Sequence, residues 1–294
     1  MTQRQKFIVI GICIAPILIG LWIILSDQTG IHSPLSLKKI GLVQINDVIM
    51  ESDSYVKQLR AFREDDAIAG VLLRIDSPGG ASAPSQEIFK EVYKFRECKK
   101  PVFVSIGNMA ASGGYYIASA ASKIFANPSS ITGSIGAIVE LPQYNKLLDK
   151  IGVSMRVIKS GELKDLGSPQ RDMTAKEKQL FQGIVSDIYE QFLSDVCLAR
   201  SLNIAIIRPI ADGRIFTGSQ ALKIGLIDTL GGYEDASDYI KTFLNLPEKT
   251  AIIEKKPKES YLRSLIFGEL AHKFPFLKNS YSPAGPYFLF HGGF

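Results

Sequence analysis

Histidine is almost missing from this chain. Its 294 residues contain three, His32, His272 and His291, and two of them fall in the last 23 positions. A serine hydrolase built on a histidine base needs that base held within the folded body, so a histidine triad is hard to place here. Cysteine is equally scarce: Cys13, Cys98 and Cys197 have no metal-ligand spacing and cannot make a disulfide framework. Cys98 and Cys197 are expected as free thiols, although a bridge between them is the alternative. No Gly-x-x-x-x-Gly-Lys loop and no Gly-x-Gly-x-x-Gly fingerprint occurs, which argues against a nucleotide site. The net charge of +5 is mild and no Lys/Arg block is interleaved with aromatics, so no nucleic-acid partner is expected. No internal repeat and no mid-chain linker divides the body, and neither a metal nor a cofactor is expected.

One long apolar run is present. Phe7 to Leu25, FIVIGICIAPILIGLWIIL, has 19 residues and no charge. As a helix it would span roughly 28 Å, close to the hydrocarbon core of a bilayer. Arg4 and Lys6 precede it and Trp22 lies near its far end. The expectation is an uncleaved anchor in the inner or plasma membrane, N-terminus in the cytoplasm and the remainder in the periplasm or outside the cell. A cleaved signal peptide is the alternative, but the run exceeds a usual signal core and no small-x-small site follows promptly. The expected organisation is an anchor over 1–25, a linker over 26–39, a catalytic-size domain over 40–254 and a tail over 255–294. The tail turns aromatic and Pro/Gly-rich, and its role stays open.

In the body, apolar strands alternate with helical patterns. Ile40–Ile45, Val71–Ile75, Pro101–Ile106 and Val153–Ile158 read as strands. Ser54–Asp65, Pro84–Arg96, Ala110–Ser122 and Pro142–Lys150 read as helices. Thr174–Leu202 reads as one long helix opened by a Thr174/Glu177 capping box. Further helices are expected within Gly213–Asp228 and Gly232–Leu244, around a short strand. Alternation of this kind predicts an α/β domain with mostly parallel pairing.

Four segments could carry chemistry. Ser112 stands among small residues in Met109-Ala110-Ala111-Ser112-Gly113-Gly114, which leave room for a substrate backbone. If a helix starts there, its first amides face a developing oxyanion; the alternative is a structural serine in a tightly packed helix. Gly79-Gly80 follow a buried strand and could donate a second amide, or simply form a turn. Lys164 lies in a Gly- and Pro-bearing loop, and a lysine held neutral by burial can act as a base. Its neighbours Glu162 and Asp165 would hold it protonated unless they point elsewhere. Ser134, in Thr132-Gly133-Ser134, could orient a lysine amine. An apolar groove is expected near Ser77 and Ser105.

Taken in order, Arg74-Ile75-Asp76-Ser77-Pro78-Gly79-Gly80, Ala111-Ser112-Gly113-Gly114-Tyr115-Tyr116, Thr132-Gly133-Ser134-Ile135-Gly136, Ser160-Gly161-Glu162-Leu163-Lys164-Asp165 with Ser168, Pro169 and Arg171, and Ala211-Asp212-Gly213-Arg214-Ile215-Phe216-Thr217-Gly218 resemble the signal peptide peptidase A (SppA/SohB-like) serine peptidases. The resemblance covers about residues 40–244. It implies a ClpP/crotonase-like fold of stacked ββα units. It implies Ser112 as nucleophile, Lys164 as general base, Ser134 as the residue orienting the lysine, and an oxyanion hole from Gly113 with Gly79 or Gly80. It also implies peptide substrates such as cleaved signal peptides, and homo-oligomers, commonly octamers. A crotonase-like acyl-CoA enzyme and a non-catalytic membrane scaffold are the competing readings.

Overall fold

The computed structural model describes residues 38–255 and the backbone of a short strand at 287–289. The apolar run at 7–25 lies outside the described residues. Among those described, no helix is long and apolar enough to cross a membrane.

The chain opens with β1 (Lys39–Asn46), α1 (Asp53–Glu64), β2 (Ile68–Ser77) and β3 (Gly79–Ala81). Next come α2 (Ser82–Tyr93), β4 (Val102–Ala111), α3 (Gly113–Ser119), β5 (Lys123–Ala126) and β6 (Ile131–Gly133). Then follow α4 (Asn145–Lys150), α5 (Ala175–Arg200), α6 (Ile204–Ile207), β7 (Ile215–Thr217), α7 (Gly218–Lys223), β8 (Thr229–Leu230), α8 (Tyr233–Phe243) and β9 (Ile252–Glu254). All of these strands except β3 belong to one eight-stranded sheet with the path β7-β6-β4-β2-β1-β9, from which β5 and β8 branch at β4. Every pairing in it is parallel except β6 with β7.

The central strands β2 and β4 are nearly all buried, as strands covered on both faces must be. Because side chains alternate along a strand, Leu73 and Ile75 join Val104, Ile106, Leu59, Phe62, Ile88, Phe192 and Val196 in the larger core. Leu72 faces the other way, onto Phe103, Phe125 and Ile240 of α8. Helix α5 begins where the sequence indicates: Thr174 Oγ1 accepts from the Glu177 amide at 3.2 Å, and the Glu177 carboxylate accepts from the Thr174 amide at 2.8 Å. Cys98 and Cys197 are free thiols.

Three expectations are corrected. The helix read over Ala110–Ser122 starts only at Gly113, because Met109–Ala111 pair with Ile131–Gly133 and continue the sheet. Val153–Ile158 form no strand: the segment has no ladder partner among the described residues, and Ile158 is fully exposed. Ser77 and Ser105 are both completely buried, so neither of them lines an open groove.

Candidate active site

The site is built where β2 and β4 end together. Ile75 pairs with Ile106, yet Ser77 pairs with Ala110, so β4 carries extra residues at this point and bends. Asp76 stabilises the bend. Its Oδ1 accepts from the Met109 amide at 3.1 Å. A methyl group on Gly107 would meet the same carboxylate at 2.6 Å, so only glycine fits there. Arg74 holds the other side through Ser105 Oγ at 2.7 Å and the Ile106 carbonyl at 3.2 Å.

Ser112 follows directly, between the end of β4 and the first turn of α3. Its backbone has φ 51° and ψ −117°, a conformation that costs a non-glycine residue on the order of 1–3 kcal/mol. Two backbone bonds hold it: its amide donates to the Gly133 carbonyl at 2.8 Å, and its carbonyl accepts from the Tyr116 amide at 2.8 Å. The side chain is 1% exposed. Behind it, α3 is pinned by the two tyrosines of the Gly-Gly-Tyr-Tyr run. The Tyr115 hydroxyl donates to the Leu226 carbonyl at 2.9 Å, and that of Tyr116 to the Asp195 carboxylate. Burial pushes both phenols well above their ordinary range, so both remain donors.

The amide of Gly113 opens α3, where the first N–H groups of a helix lack intrahelical partners. Of the Gly79-Gly80 pair, Gly79 sits at φ 102° and its N–H already donates to Ser77 Oγ at 3.1 Å. On the other side of the strand, Ile49 donates to the Gly79 carbonyl and accepts from the Ala81 amide, both at 2.8 Å. Strand alternation then turns the N–H and C=O of Gly80 the opposite way. Gly80 is therefore the glycine of the pair whose amide faces away from Ile49. A methyl group on it would come within 2.0 Å of the Ile49 carbonyl oxygen.

Ser134 is brought next to Ser112, since Gly133 both pairs with Ala111 and accepts from the Ser112 amide. It is buried, with φ 53° and its amide on the Arg214 carbonyl at 2.8 Å.

Lys164 is placed differently. It lies exposed on a single 3-10 turn, Glu162–Asp165, and its amine makes no hydrogen bond or ion pair among the described residues. The two flanking carboxylates are directed elsewhere. Glu162 pairs with Lys176 at 2.8 Å, and Asp165 with Lys159 at 2.6 Å and Arg171 at 2.9 Å. Arg171 also reaches Glu177 at 2.8 Å, tying the turn to the start of α5. Hydrogen bonds from Arg171 and Lys159 hold the Asp165 carboxyl below its usual range, and Arg171 with the Thr174 amide draws Glu177 down to about 2. Neither carboxylate is left to bind Lys164. Sequence reasoning assigns no role to Asp76, Arg171 or Asp195; the first two lie within the quoted motifs, and that is the available signal.

The segment that carries Lys164 is unusually apolar on its surface. Leu147, Ile151, Val153, Met155, Val157 and Ile158 are all exposed, as are Leu180 and Ile184 on α5. Among the described residues, no cluster of side chains suits a metal ion.

The model of peptidase family S49 matches residues 94–246, which include Ser112, Ser134 and Lys164. A protein of Enterococcus faecium named signal peptide peptidase SppA is 36% identical over 249 residues, covering 80% of this chain and 72% of that protein. The chloroplastic serine protease SPPA of Arabidopsis thaliana is 33% identical over 220 residues, 74% of this chain but 32% of that longer protein. Protease 4 of Haemophilus influenzae is 31% identical over 223 residues, 73% of this chain and 36% of its own. With a family match over half its length and relatives of this kind at 31–36% identity, the chain belongs to peptidase family S49 and is a serine-type protease.

Proposed function

We propose that this chain is a membrane-anchored endopeptidase that cuts apolar peptides, cleaved signal peptides among them, with Ser112 as nucleophile and Lys164 as base. The observation that carries the reading is the charge arrangement around Lys164: the flanking carboxylates Glu162 and Asp165 are each taken by another cation, so the amine can lose its proton once it is covered. The successive βα units, with Ser112 at the end of β4, support a ClpP/crotonase-like fold.

In a single copy Lys164 is exposed and has no partner among the described residues, while Ser112 is buried. Association of copies over the exposed apolar segment 147–158 would cover the lysine, lower its pKa by desolvation and complete the dyad. Neutral Lys164 then takes the Ser112 proton as the hydroxyl oxygen attacks the peptide carbonyl. Gly113 and Gly80 donate to the oxyanion, each worth about 3 kcal/mol in the transition state. The lysine returns the proton to the leaving amine, and water releases the acyl group from Ser112. The apolar run at 7–25 would hold this domain at the membrane surface from which such peptides are released.

The test uses the full chain carrying Ser112→Ala or Lys164→Ala and an apolar peptide substrate. Each variant should lose cleavage and keep its fold. Near-normal turnover in Lys164→Ala would remove the lysine from the mechanism, leaving only the serine-type assignment.

A further inference from the structure

The far end of the sheet carries a polar cavity. It lies where β4 and β5 begin, since the Ser122 amide donates to the Val102 carbonyl at 2.8 Å, whereas Ser112 stands at the opposite end of β4. Its volume is about 390 Å³, and its walls are Arg96, Ser122, Ala199, Arg200, Ser201 and Asp228. That is many times the roughly 30 Å³ of a water molecule and falls in the range of small-ligand pockets, about 300–1,000 Å³.

Two guanidinium groups meet there, and the fold does not use all of their donors. Arg96 Nε donates to the Ala120 carbonyl at 3.2 Å, and its Nη2 to the Ala121 and Ala199 carbonyls at 3.3 and 2.7 Å. These bonds fix the group, which also lies over the Tyr93 ring at 4.7 Å, and they leave Nη1 over. Arg200 Nη2 donates to Asp228 Oδ1 at 2.6 Å and to the Gly225 carbonyl at 3.4 Å. The Arg200 side chain is only 8% exposed, and its Nε is buried with no hydrogen-bond partner among the described residues. A buried cationic donor without a partner is costly and points to a group that the fold does not itself supply.

The surroundings favour an anion. Asp228 is the only carboxylate among the wall residues, and both of its oxygens are committed: Oδ1 to Arg200, and Oδ2 to the Ile124 amide at 2.7 Å. Two permanent cations therefore face one anion. The carbonyls of Ala120, Ala121 and Ala199, which would repel an anion, are the ones that Arg96 covers. Ser122 Oγ accepts from the Val102 amide at 3.3 Å, which leaves its own O–H to donate. We propose that this cavity binds a phosphate group, free or carried by a small molecule, through the unspent donors of Arg96 and Arg200 and the hydroxyls of Ser122 and Ser201. Guanidinium forks match the oxygens of a phosphate in charge and in shape. The bound group would tie the last turn of α5 to the start of β5. The assignment does not rest on the peptidase reading.

The test titrates the full chain in detergent with inorganic phosphate and with glycerol 3-phosphate, at constant ionic strength set by chloride. Binding is read by calorimetry, and its place by hydrogen exchange at residues 199–201 and 225–228. Saturable heat with slower exchange in both segments is expected. Equal affinities would identify free phosphate as the ligand, and tighter binding of glycerol 3-phosphate a phosphorylated small molecule; either supports the site. Ser201→Asp keeps both arginines and suits the left-handed backbone at φ 54°, but it adds a carboxylate to the wall. Affinity should then fall at least about ten-fold, whereas the uncharged Ser201→Asn should retain it. Absence of heat and of any exchange change with both compounds at millimolar concentration would overturn the proposal. Undiminished binding in Ser201→Asp would place the phosphate elsewhere and overturn it as well.

Discussion

Gly80→Ala is the substitution for which the structure gives the clearest consequence. The added methyl would lie 2.0 Å from the Ile49 carbonyl oxygen and 2.6 Å from its carbonyl carbon and amide nitrogen. All three are backbone atoms, so no rotamer change relieves the clash, and the two segments must separate by more than an ångström. The bonds from the Ile49 amide to Gly79 and from the Ala81 amide to Ile49 are then lost, about 1 kcal/mol each. Overpacking adds about 1–3 kcal/mol. The expected destabilisation is about 3–5 kcal/mol, read as a lower midpoint in urea. The Gly80 amide moves with its strand, so kcat/KM should drop on the order of 10²–10³-fold, the usual cost of one oxyanion donor. Gly183→Ala is the control. Its site on α5 has open space around the added carbon, and alanine in a helix interior should stabilise by up to about 1 kcal/mol. A Gly80→Ala protein with unchanged midpoint and unchanged kcat/KM would refute the assignment of Gly80 to both roles.

Other expectations follow from neighbouring contacts. Glu177 titrates near 2 in the folded chain instead of its ordinary 4.5, so its contribution is fully present above pH 4.5 and fades as pH falls toward 2. Hydrogen exchange across residues 159–177 should accordingly stay slow down to about pH 4.5 and quicken below it. With Arg171→Met, which removes the guanidinium clasp, that protection should already be reduced at neutral pH; an identical pH profile in the variant would show that Arg171 does not hold the turn. Tyr115→Phe leaves the buried Leu226 carbonyl without its donor and should cost about 1–3 kcal/mol of stability in a denaturant titration.

Much of this arrangement is legible in the sequence. Val71–Ile75 and Pro101–Ile106 read as buried strands because continuous apolar runs need two covered faces. Thr174 and Glu177 marked the start of α5 because the capping box is local chemistry. Ser134 lies beside Ser112 because Gly133 accepts from the Ser112 amide, a contact between two separate motifs of the sequence. The failures share a cause. Met109–Ala111 are too small to show a period, and their pairing with Ile131–Gly133 decides that they are strand. Val153–Ile158 has strand composition, but a strand exists only with a partner, and none of the described residues supplies one. The freedom of Lys164 depends on Lys176, Lys159 and Arg171 taking its neighbouring carboxylates, and no local pattern encodes that choice. The C-terminal strand at 287–289 pairs with β3, some two hundred residues back in the chain, beyond any periodicity.

In the proposed mechanism Ser112 is a nucleophile activated by Lys164. The most direct measurement of this activation is the rate at which a fluorophosphonate modifies the full chain, with the labelled residue mapped by mass spectrometry. The label should fall on Ser112 alone, at a rate about 10²–10⁴-fold lower in Lys164→Ala, the range for loss of a general base. Label on another residue, or equal rates with and without the lysine, would contradict it.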